Sequence, residues 1–175
     1  MENSKAETLT KIDYKSIAWF VGLMTVAIVL PRFIHQQFIT GPIVNATLFL
    51  GAYYLGSGGA VLVGLVPSVV ALSSGLLPMP LAPMVPFIMI SNSILITVFN
   101  WARKINFGAG AIVASLAKYL FLYLTATFVI LKIMPVTLAS KAALTMMAWP
   151  QLVTALAGAV IAFGIIKLVN KDSNA

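Results

Sequence analysis

The sequence contains no cysteine, and its only acidic residues, Glu2, Glu7, Asp13 and Asp172, lie close to the ends of the 175-residue chain. The absence of cysteine excludes disulfides, thiol chemistry and cysteine-ligated zinc or iron–sulfur clusters. Charge of any kind is scarce. The chain is 9% charged and 61% hydrophobic, against roughly 25% and 45–50% in soluble domains. From Phe33 to Ala102 only His35 titrates near neutral pH. So little charge cannot clothe a soluble core, so the composition reads as an integral membrane protein. Neither G-x-x-x-x-G-K-[ST] nor H-E-x-x-H occurs, which excludes ATP hydrolysis by a P-loop and a zincin-type metal site. No metal or cofactor is expected, and no catalysis.

What the sequence does have is long apolar runs punctuated by glycine and proline. At about 20 residues per span the length accommodates six. The predicted fold class is therefore an all-α bundle of six transmembrane helices over residues 16–169, flanked by polar segments 1–15 and 170–175. Span one covers 16–30, stopped by Pro31; without a small-x-small cleavage pattern after it, it reads as a retained helix. Span two, 42–55, measures only about 21 Å, so it begins earlier, is tilted, or is buried by its neighbours. A glycine-rich turn at 56–59 precedes span three (60–77), and prolines 78, 80, 83 and 86 stiffen the connection into span four (83–101). Span five covers 107–134, and span six covers 144–169 with a kink expected at Pro150.

The net charge of +7 comes from basic residues scattered singly rather than clustered, which argues for a bilayer and against nucleic acid. Lys5, Lys11, Lys15, Arg103, Lys104, Lys167 and Lys171 fall on one side of a six-span chain, and Arg32, Lys132 and Lys141 on the other. The positive-inside rule then puts both termini in the cytoplasm. The outer side carries the longer connections, at 32–40, 75–82 and 135–141. On this topology Ser57 and His35 lie at opposite faces, so they cannot form a protease dyad.

Three polar residues fall near mid-membrane: Asn92 in span four, Lys118 in span five and Gln151 in span six, at depths of about 10–17 Å. A charge at the bilayer centre costs at least about 2.5–3.5 kcal/mol, and no span contains an acid to pair with Lys118. Ala111, Ala114, Ser115, Lys118 and Thr125 share one small or polar helix face, whereas Leu116, Leu120, Leu124 and Phe128 form a lipid-facing one. Two readings stay open. Lys118 is met by a small anionic ligand oriented by Asn92 and Gln151, or the three merely pin helices together through carbonyls. Arg32 and His35 lie on an outer connection that could serve as a lid or simply as a polar loop. Trp149 and Tyr123 are candidate pocket walls or interfacial anchors, and Trp101 reads as an anchor. Small residues four apart, Ala18 with Gly22 and Ala155 with Ala159, allow close helix approach, either within the bundle or to a partner membrane protein.

Three stretches carry a resemblance: Ile90-Ser-Asn-Ser-Ile-Leu-Ile-Thr-Val-Phe-Asn-Trp-Ala-Arg-Lys104, Ser115-Leu-Ala-Lys-Tyr-Leu-Phe-Leu-Tyr123 and Trp149-Pro-Gln-Leu-Val-Thr-Ala155. With the length, span count and long outer connections, the chain resembles the substrate-binding S components of energy-coupling factor transporters, small vitamin and micronutrient binders of bacterial and archaeal cell membranes. The resemblance implies a pocket opening outward, lined by spans four to six and covered by the first and third outer connections. It also implies docking on a transmembrane coupling subunit driven by two ATPase subunits. Ala18 and Gly22 stand where such proteins usually carry Ala-x-x-x-Ala. The competing class is a structural or assembly subunit of a larger membrane complex. A small pore would need a continuous polar stripe, which the spans lack.

Overall fold

The computed structural model describes residues 13–133 and 144–172. Expectations for residues 1–12, for the third outer connection with Lys141, and for the last three residues lie outside them. The described chain is helical, without a strand: α1 (Tyr14–Phe33), α2 (Gln37–Tyr54), α3 (Gly56–Ser73), a 3-10 helix (Met79–Met84), α4 (Val85–Ala102), α5 (Phe107–Ile133) and α6 (Trp149–Asp172). Five stretches are long and apolar enough to cross a membrane: Tyr14–Phe33, Gly56–Ser73, Leu81–Ala102, Phe107–Val129 and Leu144–Lys171. The protein is a multi-pass membrane protein.

The exception, α2, is the most enclosed helix. Thr40, Asn45 and every residue from Ala46 to Ala52 are buried, because α1, α3, α4 and α6 pack around it. Packed on protein rather than lipid, it can carry Asn45, whose side-chain oxygen meets a donor from another helix. It also starts earlier than Pro42 suggests. The Gln36 carbonyl accepts the Ile39 and Thr40 amides and the Thr40 hydroxyl, and this first turn carries the helix through Pro42.

The expected glycine turn at 56–59 is helical instead. Leu55 alone separates α2 from α3, and Gly56, at φ 71°, makes the reversal that a Cβ would disfavour. Pro31 does not stop α1, which runs on to Phe33. Pro150 produces no mid-helix kink. It lies in the first turn of α6, where a missing N–H leaves no helical bond unmade, after a short helical turn at residues 144–146.

Helices α2 and α6 run parallel and pack closely. A Cβ on Gly41 would come within 2.8 Å of Thr154, and one on Gly158 within 2.7 Å of both Asn45 and the Pro42 carbonyl. Ala155 and Ala159 are buried in the core formed around this seam. Their four-residue spacing serves packing inside the bundle, and Ala159 also lines an open apolar groove between α5 and α6 with Phe107, Ile112 and Phe163. Ala18 and Gly22 are exposed, and nothing lies within 4 Å of where a Gly22 Cβ would stand.

Candidate functional site: a lysine-based cavity

Helical periodicity places Lys118 as its neighbours imply. On α5, Ala111, Ala114, Ser115, Lys118 and Leu122 are buried, whereas Leu116, Leu120, Leu124 and Phe128 are exposed. The lysine arm crosses the space between α5 and α2, two helices that make little other contact. Its Nζ donates to Asn45 Oδ1 at 2.6 Å and to Asn92 Oδ1 at 2.8 Å. Both amides are held from behind: Asn92 Nδ2 donates to the Gly64 carbonyl at 2.8 Å, and Asn45 Nδ2 to the Gly41 carbonyl at 2.9 Å. Thr154 Oγ1 lies a further 3.4 Å from Asn45 Nδ2. One ammonium thus ties α5 to α2 and α4, and through their amides to α3.

Hydrogen bonds to a charged group contribute about 1.5–3 kcal/mol each. Two of them offset a lenient insertion cost of about 2.5–3.5 kcal/mol. Lys118 is therefore tolerable without an acidic mate. An ammonium has three N–H donors, however, and the two asparagines account for two.

Lys118, Asn45 and Asn92 also form the floor of a cavity of about 110 Å³. Its upper walls come from Pro31 at the end of α1, Leu76 and Leu77 after α3, Gln37 and Val44 on α2, and Met146, Met147 and Gln151 around the start of α6. At the rim, Gln37 Nε2 and Gln151 Nε2 both donate to the Met146 carbonyl at 3.2 Å, drawing α2 and the start of α6 together. His35 Nε2 lies 2.9 Å from the Ser74 carbonyl, which links the α1–α2 connection to the end of α3.

Of the expected site residues, Lys118, Asn92 and Gln151 converge on this cavity. Gln151 sits at the rim, in the first turn of α6 and within the apolar stretch Leu144–Lys171. Tyr123 and Trp149 do not line it, a correction to their reading as pocket walls. Tyr123 lies five residues past Lys118, about 140° round the helix at 3.6 residues per turn, so it points outward, is 44% exposed and stacks on Tyr119. Trp149, 55% exposed, leans on the equally peripheral Phe38. Arg32 is exposed and lies outside the lining, to which its neighbour Pro31 contributes instead.

Asn45 is the residue that sequence reasoning missed. Counted from Pro42 it lies about 4.5 Å into its helix, an interfacial depth; counted from the true start at Gln37 it lies about 12 Å in, level with the lysine. The unusual polarity of α2 was the available signal. No group of three or more His, Cys, Asp or Glu side chains among the described residues could hold a metal ion. No family model, curated protein or solved structure matches the chain.

Proposed function

We propose that the chain is the membrane-embedded substrate-capture subunit of an ATP-driven micronutrient uptake transporter of the energy-coupling factor type. In this reading it has six spans, with α2 as the sixth, and both termini lie in the cytoplasm of a bacterial or archaeal cell. Among the described residues, Lys15, Arg103, Lys104, Lys167 and Lys171 lie at the end assigned to the cytoplasm and Arg32 and Lys132 at the other, a bias that supports the orientation. The observation that carries the proposal is Lys118 in the floor of a cavity whose described lining contains no acid. A small anion entering from outside supplies the missing counter-charge, with Asn92 and Gln151 giving direction.

Release inward requires energy from a partner, since the spans contain no carboxylate to couple to protons or sodium. The exposed Ala18–Gly22 stripe on α1 is a surface on which a transmembrane coupling subunit, itself driven by two ATPase subunits, could pack closely.

The paired bonds from Lys118 to Asn45 and Asn92 favour a second reading, a structural subunit in which the lysine only locks the bundle. Native mass spectrometry after gentle extraction, combined with uptake assays, separates the two. A co-purifying small molecule that disappears in Lys118→Ala, together with lost uptake, supports capture. An empty protein, with Lys118→Ala lowering stability and leaving uptake unchanged, supports the lock.

A further inference from the structure

The cavity restricts the ligand by charge and by size. Lys118 is the only cationic side chain among its described lining residues, and no anionic one is present. The rest of the polar lining is neutral: two rim glutamines, the two asparagines, Thr40 and Ser68. The hydroxyls of Thr40 and Ser68 donate to the carbonyls of Gln36 and Leu65, and the asparagine oxygens already accept from Lys118. One anionic group can therefore be matched by charge. A second one would be buried against neutral groups, at the cost that attends an uncompensated charge in a low-dielectric site. A ligand ammonium would find no carboxylate, and it would face Lys118 across a short distance.

Above the floor the walls are apolar, with Val44, Ile88, Leu76 and Met147 among them. At about 10–15 Å³ of such space per water-sized occupant, the cavity of about 110 Å³ holds on the order of ten non-hydrogen atoms. Two-ring and larger compounds would extend out through its mouth.

Building on the capture reading, we propose that the substrate class is the compact monocarboxylates with an apolar body. The carboxylate takes the remaining N–H of Lys118, the hydrocarbon part lies against the methionine and leucine walls, and dicarboxylates and zwitterionic amino acids are rejected.

The test uses the full chain in lipid nanodiscs, titrated calorimetrically with compounds that share a skeleton and differ in their charged groups: 4-methylpentanoate, 4-methylpentanamide, leucine and 2-methylpentanedioate, with naphthalene-2-carboxylate as the oversized monoanion. We expect 4-methylpentanoate to bind at least tenfold more tightly than each of the others, and Lys118→Met to abolish that preference. Should Lys118→Met not fold, the ranking in the unaltered protein decides alone. Equal or tighter binding of the amide, the amino acid, the diacid or the two-ring acid overturns the proposal, as does failure of the whole panel to bind. Native mass spectrometry then shows how far the failure reaches. A co-purifying ligand of other chemistry leaves the capture reading standing, whereas an empty protein with uptake unaffected by Lys118→Met removes both.

Discussion

Lys118 Nζ and Asn45 Oδ1, 73 positions apart in the chain, lie 2.6 Å from each other across the gap between α5 and α2. This contact places a cation beside a neutral acceptor of nearly the same shape as a carboxylate. The bundle is thus one atom away from supplying its own counter-ion. Asn45→Asp makes that change. We expect it to weaken binding of 4-methylpentanoate at least tenfold, because the internal carboxylate takes the place of the ligand's, while the bond that Asn45 Nδ2 gives to the Gly41 carbonyl is lost. Unchanged affinity in Asn45→Asp would contradict an anion site at Lys118. Asn45→Leu, by contrast, removes the acceptor and should cost about 1–3 kcal/mol, read from detergent-solubilised unfolding.

Two glycines of similar sequence appearance should respond in opposite ways. A Cβ at Gly158 would stand only 2.7–2.8 Å from Asn45, the Pro42 carbonyl and the Ala46 amide, two of them backbone groups, so Gly158→Ala must push α6 away from α2. A loss of about 1–3 kcal/mol is expected for such overpacking. Gly22 meets nothing within 4 Å, so Gly22→Ala should be neutral or gain up to about 1 kcal/mol from helix propensity. Thermal unfolding of the two variants side by side checks both signs.

The His35 contact with the Ser74 carbonyl joins two connections beside the cavity mouth, and it is exposed. His35→Ala should therefore leave global stability within about 0.5 kcal/mol while raising the ligand dissociation rate several-fold. Stopped-flow displacement of bound 4-methylpentanoate measures this, and an unchanged rate would leave the His35–Ser74 contact without a part in retaining ligand.

Asp13 caps α1. It accepts from the Ser16 hydroxyl and the Lys15 amide, and these bonds, those from Ser16 foremost, hold its carboxyl below the usual carboxylate range. A depressed folded-state value means that the cap is fully stabilising above the unfolded value of about 3.9 and is lost as pH falls through the folded one. Hydrogen exchange in the first turn of α1 should be insensitive to protonation of Asp13 between about pH 5 and 8, once intrinsic rates are removed, and should accelerate below about pH 4. In Asp13→Asn the acid-side acceleration should disappear.

Composition made the helical membrane class legible, because four terminal acids and long apolar runs leave no soluble alternative. The inward face of α5 was legible too, since small and polar residues recur at helical spacing. Helix ends were harder to read where proline and glycine have two uses. Pro42 and Pro150 look alike in sequence. One lies inside a helix whose first turn hangs on the Gln36 carbonyl, and the other begins a helix. That difference moved Asn45 into the interior and Gln151 out to the rim. Aromatic character and a place on the outer half of their spans make Tyr123 and Trp149 wall candidates, but the angular position of Tyr123 points it away from Lys118.

The single residue between α2 and α3 has a mechanical corollary. With Leu55 alone joining them and Gly56 fixing the reversal, the two helices share no slack. No loop therefore stands between α3 and the helix bearing Asn45 to absorb a change in the angle at which the two helices meet.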